Sequence, residues 1–246
     1  MDSGLSDSLR GVIIMTVEEI KKKLSKKAII FKTGGKRPTG ELLESWIGSV
    51  RWQRVGENLL KDKRENDMVP IATIFLKNLS FIPTELSGTE LVTIFMSNDV
   101  WDNLVSEDLS PWFCIRTYDS LEQLVPCNYQ SDIIKPFPLT PNLVENDFPC
   151  WDGGGISDDI EDIILHLETT DGIEYFDDIC EEIYSEHKVG GYPSFCQSGF
   201  SFGNGYEFVM QISSDEKARF NIVDSGNFYF FYNTQLSDWK VHCDFY

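Results

Sequence analysis

No lysine or arginine occurs between Lys135 and Lys188, a stretch that holds 15 acidic residues. A field of one sign over so long a segment repels nucleic acid and anionic membranes, so neither is expected as a partner. The chain has no apolar run of about 18 residues, the length a membrane-crossing helix needs. Its start lacks the basic flank and apolar segment of a secretion signal. The six cysteines, Cys114, Cys127, Cys150, Cys180, Cys196 and Cys243, form no CxxC pair. With three histidines and no HExxH, zinc has no local framework, and no loop has the alternating oxygen ligands of a calcium site. A soluble cytoplasmic protein with reduced thiols, no metal and no cofactor is the expectation.

What is present is enough for a core. Of 246 residues, 41% are hydrophobic and 13% aromatic, which excludes disorder and allows one large domain. The net charge of −19 is unevenly spread. Residues 1–65 hold 14 basic and 9 acidic side chains, whereas residues 66–246 hold 7 and 31. Such an acidic body favours association with a basic partner, although charge of this kind also serves solubility alone.

Residues 1–14 read as a flexible arm and 15–246 as a single domain, with Met15 a second candidate start. Thr16 and Glu19 form a capping box, and Val17, Ile20, Leu24 and Ala28 fall on one helical face among lysines. The stretch Thr33 to Gly40 resembles a phosphate loop but fails the Walker pattern, since Ile30 stands where the first glycine belongs and Arg37 follows Lys36. Strands are expected near 69–76, 90–97, 112–118, 206–212, 219–223, 227–232 and 239–245. The proline-rich run from Cys127 to Trp151 predicts an extended crossing segment, ending at a glycine hinge, 153–155.

Beyond the hinge two acidic helices are predicted. The first has a capping box from Asp158 to Glu161 and an apolar stripe of Ile160, Ile163, Ile164 and Leu167. The second would align Phe176, Cys180, Ile183 and His187. An internal repeat pairs segments 69–98 and 206–233: Ala72–Leu76 and Ser87-Gly88 match Met210–Ser214 and Ser225-Gly226 at one shared offset of 138 residues.

The residues HKVGGYP at 187–193, Gln211 to Asp215 at a strand end, and Asp224-Ser225-Gly226 before an aromatic strand resemble the YwqG-like family of bacterial proteins. In that family's pattern Trp-Gly stands where this chain has Ile222-Val223, and Gln where it has Thr73. The resemblance implies an α+β fold of largely antiparallel sheets with an internally duplicated core, here joined to an acidic two-helix segment. It implies no activity, since the family is a domain of unknown function, and some relatives sit beside secreted-toxin genes.

Catalytic patterns fail on context. Gly199 to Gly203 matches GxSxG, with Asp224 or Asp238 and His242 downstream, but a nucleophile elbow needs a strand before Ser201 and a helix after it. No catalytic residue is assigned. The leading expectation is a non-enzymatic interaction module, an immunity-type protein that neutralises a basic toxin or nuclease. Asp158, Asp159, Glu161, Asp162, Asp177, Asp178, Glu181 and Glu182 would enter the partner's cationic groove. The alternative is a small-ligand sensor or an uncharacterised enzyme, using a pocket between the two repeats with Gly190, Gly191, Tyr192, Pro193 and Asp224 as its loop. A purely structural domain is the third reading.

Overall fold

The computed structural model describes residues 15–39 and 43–246. The expected arm at 1–14 and the end of the Gly40 loop lie outside the described residues. The described residues contain two α-helices, α1 (Val17–Leu24) and α2 (Asp158–Asp171), with short 3-10 turns between strands. The strands are β1 (Lys26–Thr33), β2 (Trp46–Ile47), β3 (Ser49–Arg54), β4 (Val69–Phe75), β5 (Leu91–Met96) and β6 (Phe113–Tyr118). They continue as β7 (Leu124–Gln130), β8 (Phe137–Asp147), β9 (His187–Gly190), β10 (Glu207–Ser213), β11 (Asn227–Asn233) and β12 (Asp238–Asp244).

Ten of these strands form one antiparallel sheet, in the order β12-β11-β10-β9-β1-β8-β2-β4-β5-β6, and β3 and β7 pair separately. The order has the same grammar from both ends. Each edge is a meander of three consecutive strands, followed inward by a short strand and then a long one. Because the two long strands, β1 and β8, pair at the centre, β1 lies between β8 and β9, both from the later half of the chain. The protein is therefore predominantly β rather than α+β. No described helix is long and apolar enough to cross a membrane.

Several elements follow directly from the residues. Thr16 caps α1 through the Glu19 N–H, the Glu19 carboxylate returns to the Thr16 N–H, and Ile20 and Leu24 turn inward beside Met15. The helix stops at Ser25, however, and Ala28 belongs to β1. Four consecutive buried residues, Ala28 to Phe31, suit a strand covered on both faces.

The proline-rich crossing segment contains the longest strand, β8. Leu139 donates its N–H to the Ser45 carbonyl, towards β2. Alternation aims Pro141 the same way, and β2 pairs only as far as Pro138, so no ladder bond is forfeited at Pro141.

Two predicted elements are absent. In place of the second acidic helix there is one π turn, Tyr175–Ile179, and His187 begins β9. Asp177, Asp178, Glu181 and Glu182 would stack like charges at helical spacing, while Tyr175 is drawn inward to donate to the Pro149 carbonyl at 2.6 Å. Residues 219–223 form a turn rather than a strand, since the Asn221 amide bonds the Val223 carbonyl and the Ser225 N–H, and Arg219 and Val223 have positive φ. The capping box expected at Asp158 is also missing; Ser157 is the N-cap and its side chain makes no capping bond.

Candidate functional site

The site begins with β9, the four-residue strand beside β10. Lys188 and Asp147 are both fully buried and meet at 3.0 and 3.3 Å, with the Tyr192 N–H also donating to Asp147. Burial is the larger influence on Asp147 and pushes its carboxyl up, against the pull of Lys188 and that N–H. Gly191 lies directly over this pair, at φ +70°, and a Cβ there would overlap the Asp147 carboxylate. Gly191 and Tyr192 thus pack on the Asp147 carboxylate, and Gly190, Gly191 and Tyr192 are not among the residues that line the cleft described below.

On the other side of Lys188, His187 accepts the Ser213 N–H through Nδ1 at 3.0 Å, which leaves the ring proton on Nε2. Nε2 lies 3.3 Å from Oδ2 of Asp215, which also accepts the Thr33 hydroxyl, while Oδ1 accepts the Ala218 N–H. Burial alone would raise the Asp215 carboxyl, but the donors from His187, Thr33 and Ala218 outweigh it and hold it well below the usual carboxylate range. The histidine nitrogen that a general base would use is occupied by backbone. This His–Asp pair fastens β9 to the end of β10, and the imidazole has no free lone pair with which to abstract a proton.

Next to it the ends of β10, β11 and β12 present polar residues in one row. Ser213 pairs with Asn227, and Asn227 with Asp244. Tyr229 donates its hydroxyl to Asp244 at 2.7 Å, and burial pushes that hydroxyl's pKa up, keeping it a donor. Asp244 also accepts the Cys196 and Gln197 N–H groups. Gln211 is saturated: its oxygen takes the Ser194 N–H, and its nitrogen reaches the Glu186 carbonyl and the Ser194 and Ser213 hydroxyls. Above this row opens a cleft of about 660 Å³ walled by Ser194, Cys196, Ser213, Asp215 and Asn227, with Arg219 at its rim. Burial, with Asp244 beside it, pushes the Cys196 thiol up to about 11, so at neutral pH it is not a thiolate nucleophile.

The corresponding positions at the other edge of the sheet are sealed. Phe75 pairs with Leu91, and Leu91 with Tyr118. All three are buried with Leu124 and with Trp52, whose ring meets Phe75 edge to face at 6.0 Å. The backbone roles nevertheless match. Phe75 donates its N–H to the Ser45 hydroxyl at 3.0 Å, as Ser213 does to His187. Thr73 accepts the Arg51 N–H, as Gln211 accepts that of Ser194. One arm of the sheet carries an apolar plug where the other carries a polar cleft.

The expected site residues are dispersed around this arrangement. The cleft lies within the later arm and not between the arms. Pro193 precedes the cleft residue Ser194, and Asp224 is exposed, accepting the Tyr246 N–H through its carbonyl. Among the acidic residues, Asp158, Asp159, Asp162 and Asp177 are exposed on α2 and the π turn, with Glu161 half-buried beside them. Asp178 accepts the Glu174 N–H, Glu181 is paired with Lys21 of α1 at 2.9 Å, and Glu182 is exposed near that pair. Beside α2 is a shallow slot of about 250 Å³ between Trp151, Leu165, Tyr175 and Phe176, rimmed by Glu168 and Glu174.

The GxSxG serine has no triad. Ser201 accepts the Gly203 N–H, Asp238 is bonded by the Tyr206 hydroxyl, and His242 stacks on Phe200 with Nδ1 at the Glu107 carbonyl. Among the described residues no three His, Cys, Asp or Glu side chains converge as metal ligands.

Sequence reasoning missed Ser194, Cys196, Ser213, Asn227 and Asp244. A signal was present: Gln211 and Ser213, and likewise Asn227 and Tyr229, put hydrogen-bonding groups two apart on one face of otherwise apolar strands. A family model described as a domain of unknown function, DUF1963, matches residues 92–240, more than half of the chain, from β5 into β12. No curated protein matches the chain.

Proposed function

Because this chain belongs to the DUF1963 family, whose description assigns no function, we propose from the site that it is a non-catalytic binding module holding a small polar ligand in the cleft of its later arm. One observation carries the reading: Ser213, Asn227 and Asp244 stand at the strand positions that Phe75, Leu91 and Tyr118 fill in the earlier arm. Polar residues in a core position cost stability unless they are used, and the earlier arm supplies an apolar alternative for the same backbone. The occupied histidine nitrogen and the protonated Cys196 favour binding over catalysis.

The experiment is a thermal-shift screen of the full chain against a metabolite library, repeated on Ser213→Phe/Asn227→Leu. A ligand should raise the Tm of the wild type and leave the filled variant unmoved. A screen with no hit, or a hit that persists after filling, defeats the reading.

The two arms fit an internal duplication, supported by their matched strand order, the shared 138-residue offset and the equivalent roles of Ser45 and His187. Within DUF1963 a bacterial, cytoplasmic, YwqG-like member is the finer assignment, resting on the 187–193 and 211–215 motifs.

A second reading is favoured by the slot beside α2, where Leu165 and Phe176 are exposed inside an acidic rim. There a basic protein, toxin-like or nuclease-like, would dock an apolar side chain among carboxylates, as an immunity-type complex would. Its test is a low-salt pull-down from the native host followed by Glu168→Lys/Glu174→Lys, which reverses the rim of the slot. Association that survives the reversal unchanged rules this surface out.

A further inference from the structure

We propose that the later-arm cleft is built for a neutral, polyhydroxylated ligand, a monosaccharide, disaccharide or cyclic polyol; this rests on the reading of the cleft as a ligand site. The argument begins with hydrogen bonds left over. Ser194, Ser213 and Asn227 are 5%, 3% and 3% exposed, and all three line the cleft. Both serine hydroxyls accept from Gln211, yet among the described residues neither has an acceptor for its own proton. Asn227 spends its nitrogen on the Ser194 carbonyl, Cys196 and Tyr229, while its oxygen receives no donor from those residues. The wall therefore offers two spare donors and one spare acceptor within a few residues. A hydroxyl satisfies either kind, and adjacent ring hydroxyls satisfy several together.

Charge narrows the class. The Asp215 carboxylate is ionised and accepts the Thr33 hydroxyl and the Ala218 N–H, with His187 Nε2 3.3 Å away, so it gives this wall of the cleft a negative potential. Glu216 adds a second negative charge at the rim against the single Arg219, and Lys217 is turned away to the Thr33 carbonyl. Phosphates and carboxylates are disfavoured by that balance, and no cluster of basic side chains is present to clamp them. Phe220 and Tyr246 share the lining with the polar row, a mixture that suits a sugar ring, with apolar faces and hydroxyl edges, better than a purely apolar ligand. The volume lies within the range of small-molecule sites and accommodates two sugar rings.

The test is saturation-transfer NMR on the full chain with glucose, maltose and myo-inositol, set against AMP and glutamate as anionic probes. Three proteins are compared: the wild type, Ser213→Phe/Asn227→Leu, and Glu216→Trp, which obstructs the mouth without touching the buried network. At least one neutral probe should receive saturation from the wild type, with affinity weakened about tenfold or more in both variants. Neutral probes that receive none, or receive it equally in all three proteins, overturn the inference. If AMP or glutamate binds instead and the variants abolish it, the cleft remains a ligand site and only the class proposed here is wrong. If no probe binds, the class is wrong as well.

Discussion

The two arms of the sheet share a strand order and a set of backbone hydrogen bonds, yet one is closed by Phe75, Leu91 and Tyr118 and the other carries Ser213, Asn227 and Asp244 at the same places, the first two lining its cleft. The difference separates what a fold requires from what a function retains. The plug shows that this backbone can be finished with apolar side chains. On the function proposed above, the polar row is kept for a ligand rather than for packing. It is also the arm that needs more support, since behind it lies the buried Lys188–Asp147 pair.

The comparison can be broken first in the sealed arm. Phe75→Ser removes a buried ring and leaves a hydroxyl without a partner; by urea unfolding it should cost about 5 kcal/mol. Next, Asp147→Asn leaves the Lys188 ammonium buried without its counter-charge and should cost about 3 kcal/mol by the same measurement. Ser213→Phe, the reverse exchange, places a ring at the wall of an open cleft and should cost only about 1 kcal/mol. Equal costs for Phe75→Ser and Ser213→Phe would mean that the arms do not differ as described.

The smallest effect is in pH dependence. Asp215 has a folded pKa below its unfolded value, so its contribution is complete above the unfolded value of about 4 and is lost as pH falls below it towards the folded one. Asp215→Asn should therefore flatten the acid limb of stability against pH. An unchanged limb would mean that the His187 and Thr33 donors do not hold the carboxylate.

Much of the fold was legible where side chains answer to near neighbours. The Thr16–Glu19 cap and the Ile160, Ile163, Ile164 and Leu167 stripe involve positions three or four apart, and the edge meanders announce themselves by β-branched and aromatic runs. β1 was hidden because Ala28 continues the helical face of Ile20 and Leu24, and only the docking of β8 and β9 on either side makes a strand of it. The site was harder to see. Asp147 and Lys188 are 41 positions apart, and nothing local marks them as a pair. Ser213 and Asn227 look like ordinary strand ends until the opposite arm shows what else could stand there. HKVGGYP stands out in the sequence as a family motif, but its chemistry lies in His187 and Lys188, each beside a carboxylate from a distant segment.

The central position of β1 has a consequence for how the chain is made. Its residues are made before both of its neighbours, residues 137–147 and 187–190, so one edge stays open until residue 147 and the other until residue 190 has been synthesised. The middle of the sheet cannot close before then, whatever the first meander has already achieved. Pairings so far apart in sequence also make for slow closure. A fragment restricted to the matched segment 92–240 would carry β8 and β9 without the strand that joins them, and the two arms would have no shared centre on which to assemble.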